Sequence, residues 1–213
     1  MSCSRITSSV YLLTLASLLQ TAFGAEPLFR TCSNTGNFSA GSPYEANLKQ
    51  LTEYLSNQAP PSWFGLRSIG QNPNQAYGLA LCRGDVRSAD CKTCVVEAGN
   101  EIRKRCPYKK GAIIWYDYCL LKHSNMEFFG KIDNQIAIYL WNPNNASGEM
   151  EVYGAVKIYG LTQCTQDLSS SDCKKCLDGI IEQLPRCGDK KEGGRVIGPS
   201  CNFRFERYRF VNT

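Results

Sequence analysis

"QCTQDLSSSDCKKCL", residues 163–177, places Cys164, Cys173 and Cys176 on one short stretch that closes with a Cys-x-x-Cys pair. Such a pair fits a redox dithiol, half of a zinc site or a set of disulfide staples. The stretch has a twin. "YGLALCRGDVRSADCKTC", residues 77–94, lies in register with "YGLTQCTQDLSSSDCKKC", residues 159–176, so that Cys82, Cys91 and Cys94 recur 82 positions later. Tyr-Gly-Leu, the Asp85/Asp167 pair and a Ser-x-Asp-Cys-Lys core recur with them, which marks an internal duplication. The match continues more loosely from Cys106 to Cys187 and from Cys119 to Cys201.

Each copy reads as a short strand ending at its first repeated cysteine, a turn, and a helix entered at Ser88 or Ser170. Asp90 or Asp172 sits in the first turn, where an acid suits the positive end of the dipole. Val95, Ala98 and Ile102 in one copy, and Leu177, Ile180 and Ile181 in the other, recur at helical spacing and are expected in the core. "AIIWYDYCLL" and "CNFRFERYRF" then read as strands. Copy one has an earlier helix, with Tyr44, Leu48, Leu51 and Leu55 on one stripe. The sum is an α+β fold, helices packed on one face of an antiparallel sheet, once per copy.

Arg5, an apolar run from Val10 to Leu19 and the small residues around Ala22-Phe23-Gly24 read as a signal peptide over residues 1–24. That run is about half of the roughly 20 residues a membrane span needs, and no later stretch is long enough. Removing the peptide leaves 11 of the 12 cysteines and lowers the net charge from +5 to +4. The basic residues are scattered among acids, which argues against nucleic acid as a partner. In an oxidising compartment such cysteine density reads first as a disulfide framework. Helical neighbours at i, i+3 lie about 5–6 Å apart at Cβ, further than the roughly 3.5–4.5 Å of a disulfide. Cys91 and Cys94 are therefore better placed to reach separate partners, one on the preceding strand and one on the following strand. Redox and zinc readings stay as minor alternatives, and no metal or other cofactor is expected. Asn37 and Asn145 begin glycosylation sequons.

The doubled Cys-x8-Cys-x2-Cys pattern, its flanks and the closing "GGRVIGPSCNFRFERY" resemble the plant ginkbilobin-like (salt stress response/antifungal) domain. That domain occurs in tandem in cysteine-rich repeat secretory proteins, plasmodesmata-located proteins and ectodomains of cysteine-rich receptor-like kinases. The resemblance implies a first domain over residues 25–133 and a second, shortened one over 134–213. It implies disulfides Cys32–Cys106, Cys82–Cys91 and Cys94–Cys119 in copy one, and Cys164–Cys173 and Cys176–Cys201 in copy two. Cys187 is left unpaired, because copy two has no counterpart of Cys32. Between "WNPNNASGE" and "YGLTQC" there is no room for the first helix of copy two. Its absence is expected to expose apolar surface such as Ile180 or Ile181.

The resemblance also implies a ligand set. In ginkbilobin a mannose site uses an Asn just after the first Cys, an Arg six before the last Cys and a Glu five after it. In copy two these positions give Arg195 and Glu206, with Asn144 or Asn145 as the nearest amides; copy one has Ile113 and Ser124 there and keeps only Asn34. The plainer reading of Arg195 and Glu206 is a cross-strand ion pair. The sequence thus points to a secreted, non-enzymatic binding protein of the apoplast. Its expected ligand is a cell-wall or fungal glycan, with a role in defence or stress. The competing reading is an interaction module for another extracellular ectodomain that uses surface residues such as Trp63, Trp115, Tyr116 and Arg204; their plainer reading is core packing, and strand spacing puts Trp115 in the core. Cys187 or the uncovered second copy would serve a dimer. His123, the one histidine, is expected in a core or surface role rather than as a general base.

Overall fold

The computed structural model describes residues 26–34, 36–134, 138–142, 157–182 and 191–211. Cys187, Asn144, Asn145 and the expected signal peptide lie outside the described residues.

In the first half β1 (Phe29–Cys32) is followed by α1 (Pro43–Ser62), β2 (Phe64–Ile69), β3 (Ala76–Cys82), α2 (Ser88–Arg105), β4 (Ala112–Trp115) and β5 (Cys119–Ser124). The strands form one antiparallel sheet in the order β1-β4-β5-β3-β2. Pro43 opens α1, the Ser42 hydroxyl accepts from the Glu45 amide at 3.4 Å, and Glu45 Oε2 accepts from the Gly41 amide at 2.7 Å. The helix start is thus capped from both sides. The stripe Tyr44, Leu48, Leu51, Leu55 and Ala59 is buried against the sheet and α2.

The second half has β6 (Ile138–Trp141), β7 (Tyr159–Cys164), α3 (Ser170–Ile181), β8 (Gly193–Ile197) and β9 (Cys201–Glu206), with sheet order β6-β8-β9-β7. Register aligns β6 with β1, because Trp141 lies opposite Gly194 as Cys32 lies opposite Ala112. Fifty positions separate Cys32 from Cys82, but 23 separate Trp141 from Cys164; α1 with 20 residues and β2 with 6 account for nearly the whole difference. Among the described residues no helix lies between β6 and β7.

Several local expectations are corrected. The segment "AIIWYDYCLL" is a hairpin, β4 and β5 joined by the two-residue turn Asp117-Tyr118, whereas "CNFRFERYRF" is a strand as expected but ends at Glu206. β9 in turn pairs with β8 through the turn Pro199-Ser200, and Tyr116 and Gly198 donate their amides to the carbonyls of Cys119 and Cys201 at 2.8 and 2.9 Å. Ser88 and Ser170 are not the caps. Ser169 caps α3 by accepting from the Asp172 amide at 3.1 Å, whereas Arg87 precedes α2 with no side-chain cap and pairs with Asp90 instead. Ile180 is 5% exposed, and Ile181 on the adjoining flank is 37% exposed.

The described cysteines are all joined: Cys32–Cys106, Cys82–Cys91, Cys94–Cys119, Cys164–Cys173 and Cys176–Cys201. Cys91 and Cys94 reach the preceding and following strands rather than each other. Among the described residues no helix is long and apolar enough to cross a membrane.

Helices cover one face of the first sheet; its other face carries Leu79, Leu81, Ile113, Trp115 and Leu120, which pack with Ile138, Leu140 and Ile197 of the second half. Trp115 is 1% exposed and donates its indole N–H to the Gly198 carbonyl at 3.3 Å. Gln163 donates to the Cys82 carbonyl at 2.8 Å, and the Asp133 amide donates to Ser200 Oγ at 2.8 Å. The two sheets therefore share an apolar seam with polar links at its margin. Trp115 and Tyr116 are core residues rather than surface ones, Trp63 is half-buried with its indole bonded to the Val86 carbonyl, and His123 is 4% exposed.

Candidate ligand cleft at the seam

β8 and β9 alternate, so Arg195, Arg204 and Glu206 face the seam while Val196 and Phe203 face α3. The β8–β9 register sets Arg195 opposite Arg204, and Glu206 opposite Gly193. The expected Arg195–Glu206 ion pair is accordingly replaced by other pairings. Glu206 Oε1 accepts from Arg204 Nε and Nη2, both at 3.2 Å. Arg195 Nη1 donates to Asp117 Oδ1 at 2.6 Å, across the seam in the turn of the first half's hairpin. Asp117 Oδ2 also accepts from Arg83 at 3.1 Å, and Arg204 Nη1 stands 3.7 Å from Oδ1.

Asp117, Arg195, Arg204 and Glu206 line a cleft of about 340 Å³ together with Leu28, Leu140, Trp141, Asn142 and Tyr208. Gly193 makes it possible, since a Cβ there would collide with the Glu206 carboxylate; on the opposite face Gly194 leaves room for the Trp141 ring. Glu206 is 6% exposed, and its Oε2 has no hydrogen-bond partner among the described residues. Burial pulls the Arg195 pKa downward, and Asp117 opposes that pull. The floor is thus a set of fixed charged donors and acceptors beside Tyr208, suited to hydroxyl groups that both donate and accept.

Arg195 and Glu206 come together in this cleft; Asn34 does not join them. It is exposed in the loop after β1 and does not line the cleft. Asn142 takes the amide position instead. Trp141 occupies the place of the first cysteine, so Asn142 is the residue just after it. Without a cysteine to count from, the sequence did not reveal this residue; aligning "IYLWN" with "FRTCS" as edge strands would have. Asp117 was missed because its role lies in the other half. Asn37 is exposed and bridges to Lys109.

The first half has a matching groove of about 330 Å³ lined by Thr31, Ser33, Ile113, Lys122, Ser124 and Phe128, among others. Lys122 stands where Arg204 stands, 82 positions earlier, and both cations lie 4.3 Å from the ring centre of an equivalent phenylalanine, Phe128 or Phe210. Lys122 is held by Asp133 at 2.7 Å, and Ile113 and Ser124 take the places of Arg195 and Glu206. The backbone frame is repeated, but the charged floor is not.

Comparison with known proteins follows the same division. The family model described as salt stress response/antifungal matches residues 31–126 and again 133–208. An antimicrobial ginkbilobin-2-like protein of Castanea crenata is 46% identical over 233 residues, covering 96% of this chain and 97% of that one. Cysteine-rich repeat secretory protein 38 of Arabidopsis thaliana is 43% identical over 237 residues, covering 96% and 94%. Both alignments are longer than this 213-residue chain, so the relatives carry positions that it lacks. The fold matches the tandem DUF26 ectodomain of the Arabidopsis thaliana cysteine-rich receptor-like protein PDLP8, with a TM-score of 0.77 at 21% identity, covering 86% of this chain and 98% of that one.

Proposed function

This chain belongs to the salt stress response/antifungal family of secreted, cysteine-rich proteins, and we propose that it acts by binding a carbohydrate of mannose type in the cleft of its second half. Asn142, Arg195 and Glu206 supply an amide, a charged donor and a charged acceptor at this cleft. The observation that carries the reading is the buried Glu206 carboxylate, with one oxygen fixed by Arg204 and the other unpartnered over Gly193. A buried acceptor without a partner carries a free-energy cost that a ligand hydroxyl would relieve. The cleft's carboxylates are tied to arginines, which suits fixed recognition better than proton transfer. In the apoplast such binding would mark cell-wall or fungal glycans in defence or stress.

The test is a glycan array probed with the wild type, Arg195→Ala and Glu206→Gln. Retention of mannose-type glycans should fall at least about tenfold in each variant, the loss of one charge-assisted hydrogen bond. Unchanged retention by either variant removes this cleft from consideration.

A second reading, docking of another extracellular ectodomain without sugar, is favoured by the flank of α3. Leu177 there is half-buried and Ile181 is 37% exposed. Ectodomain capture that survives Glu206→Gln and is lost in Ile181→Asp would support it.

A further inference from the structure

The arginines at the seam are balanced by carboxylates from both halves. Arg83, Arg195 and Arg204 have side chains that are 8%, 12% and 18% exposed, and they face Asp85, Asp117 and Glu206. Arg83 has Asp85 as a second partner and Arg204 has Glu206, but among the described residues the carboxylate paired with Arg195 is Asp117 alone. Asp117 Oδ1 and the Asp117 carbonyl lie 2.6 and 3.5 Å from the two Nη atoms of Arg195. Asp117 itself is 48% exposed and lines the cleft wall. A residue of the first half therefore decides both the direction and the net charge of the arginine on the second half's binding floor.

We propose that Asp117 is a positioning and specificity residue: by holding Arg195 and cancelling its charge, it makes the cleft select uncharged polyhydroxyl ligands and refuse saccharides that carry carboxylates, such as uronates. The proposal rests on the sugar-binding reading of the cleft for its neutral ligand, but not for its rejection of acidic ones. A uronate entering the cleft meets a half-exposed like charge and arginines already neutralised, and a repulsive element of this kind supplies discrimination that attraction alone does not. A neutral hydroxyl meets no such penalty and can donate to a carboxylate while accepting from a guanidinium. With Asp117 made neutral, Arg195 becomes an uncompensated, largely buried cation, which is what a carboxylate ligand needs for a charge-assisted pair.

The experiment titrates a neutral oligomannoside and an oligogalacturonate against the wild type, Asp117→Asn and Asp117→Glu. The wild type should refuse the uronate, and Asp117→Asn should gain about tenfold or more in affinity for it, a gain that shrinks as salt is raised. The gain is expected even if the wild type binds no oligomannoside, an outcome that would sink the sugar reading and leave the role of Asp117 standing. Folded Asp117→Asn, verified by circular dichroism, with no gain on the uronate overturns the proposal. Asp117→Glu keeps the charge and must still refuse oligogalacturonate, so acceptance by this variant overturns it too, whether or not Asp117→Asn folds.

Discussion

The two halves share one frame and have diverged in opposite directions. The first has α1 and β2, a disulfide tying Cys32 to Cys106, and an uncharged position, Ile113, where the second has Arg195. Among its described residues the second has neither the helix nor that bridge, and it carries Arg195, Arg204 and Glu206 on its cleft floor. Packing residues record the loss. Gly78 of β3 has no room for a Cβ, because Leu51 and Leu55 of α1 would lie 2.8 and 3.0 Å from it; a Cβ on its repeat, Gly160 of β7, would among the described residues meet only the Arg204 carbonyl at 3.9 Å. Gly99 of α2 faces Thr52 of α1, and its repeat is the bulky Ile181, which no helix among the described residues covers. Trp141 fills the place of Cys32 by lying over Gly194, so an apolar contact stands where a covalent one stood. The larger buried core thus lies in one half and the charged cleft in the other, and the two meet along an apolar seam.

The comparison can be broken in order of expected effect. Leu55→Ala should destabilise the first half by about 2–5 kcal/mol in urea denaturation, since its side chain is fully buried under α1. A loss under 1 kcal/mol would mean that α1 is not the keystone. Replacing Cys32 and Cys106 by serine removes a link across a sequence separation of 74, a loss of about 4 kcal/mol on the chain-entropy model. The melting temperature should fall accordingly, while the β9 and α3 amides keep their exchange rates.

His123 gives a pH test. Burial pushes its pKa down to about 4. The unfolded chain therefore takes up a proton near pH 6.5 that the folded chain refuses until about pH 4. This contribution is fully present above pH 6.5 and is lost on acidification towards pH 4, on the order of 3 kcal/mol in all. His123→Asn should flatten that part of the stability profile, and an unchanged slope would contradict the burial argument. Smaller again, Gly78→Ala should cost about 1–3 kcal/mol through its clash with Leu51, whereas Gly160→Ala should be nearly neutral. Equal effects at the two glycines would erase the footprint of the missing helix.

The duplication was legible because the cysteines and their Tyr-Gly-Leu and Ser-x-Asp-Cys-Lys neighbours keep one spacing, and helix α1 because its stripe repeats every three to four residues. The α+β class follows from those two signals. The first hairpin was harder, since Tyr116 before the turn and Tyr118 within it read as strand residues, with only Asp117 between them to signal it. The cleft was half legible. Arg195 and Glu206 could be counted from Cys201, but Asn142 had no cysteine beside it, and Asp117 acts across a sequence distance of 78. Contacts between halves leave no periodic trace in either half's own pattern.

The most direct measurement follows the arginine side-chain Nε resonances of the isotopically labelled protein while a neutral oligomannoside is added. Arg195 and Arg204 should move together along one saturating curve, with Arg67 and Arg103 of the first half unmoved. Binding of the glycan that leaves Arg195 and Arg204 in place, or that shifts only first-half arginines, would contradict a ligand site in the second half.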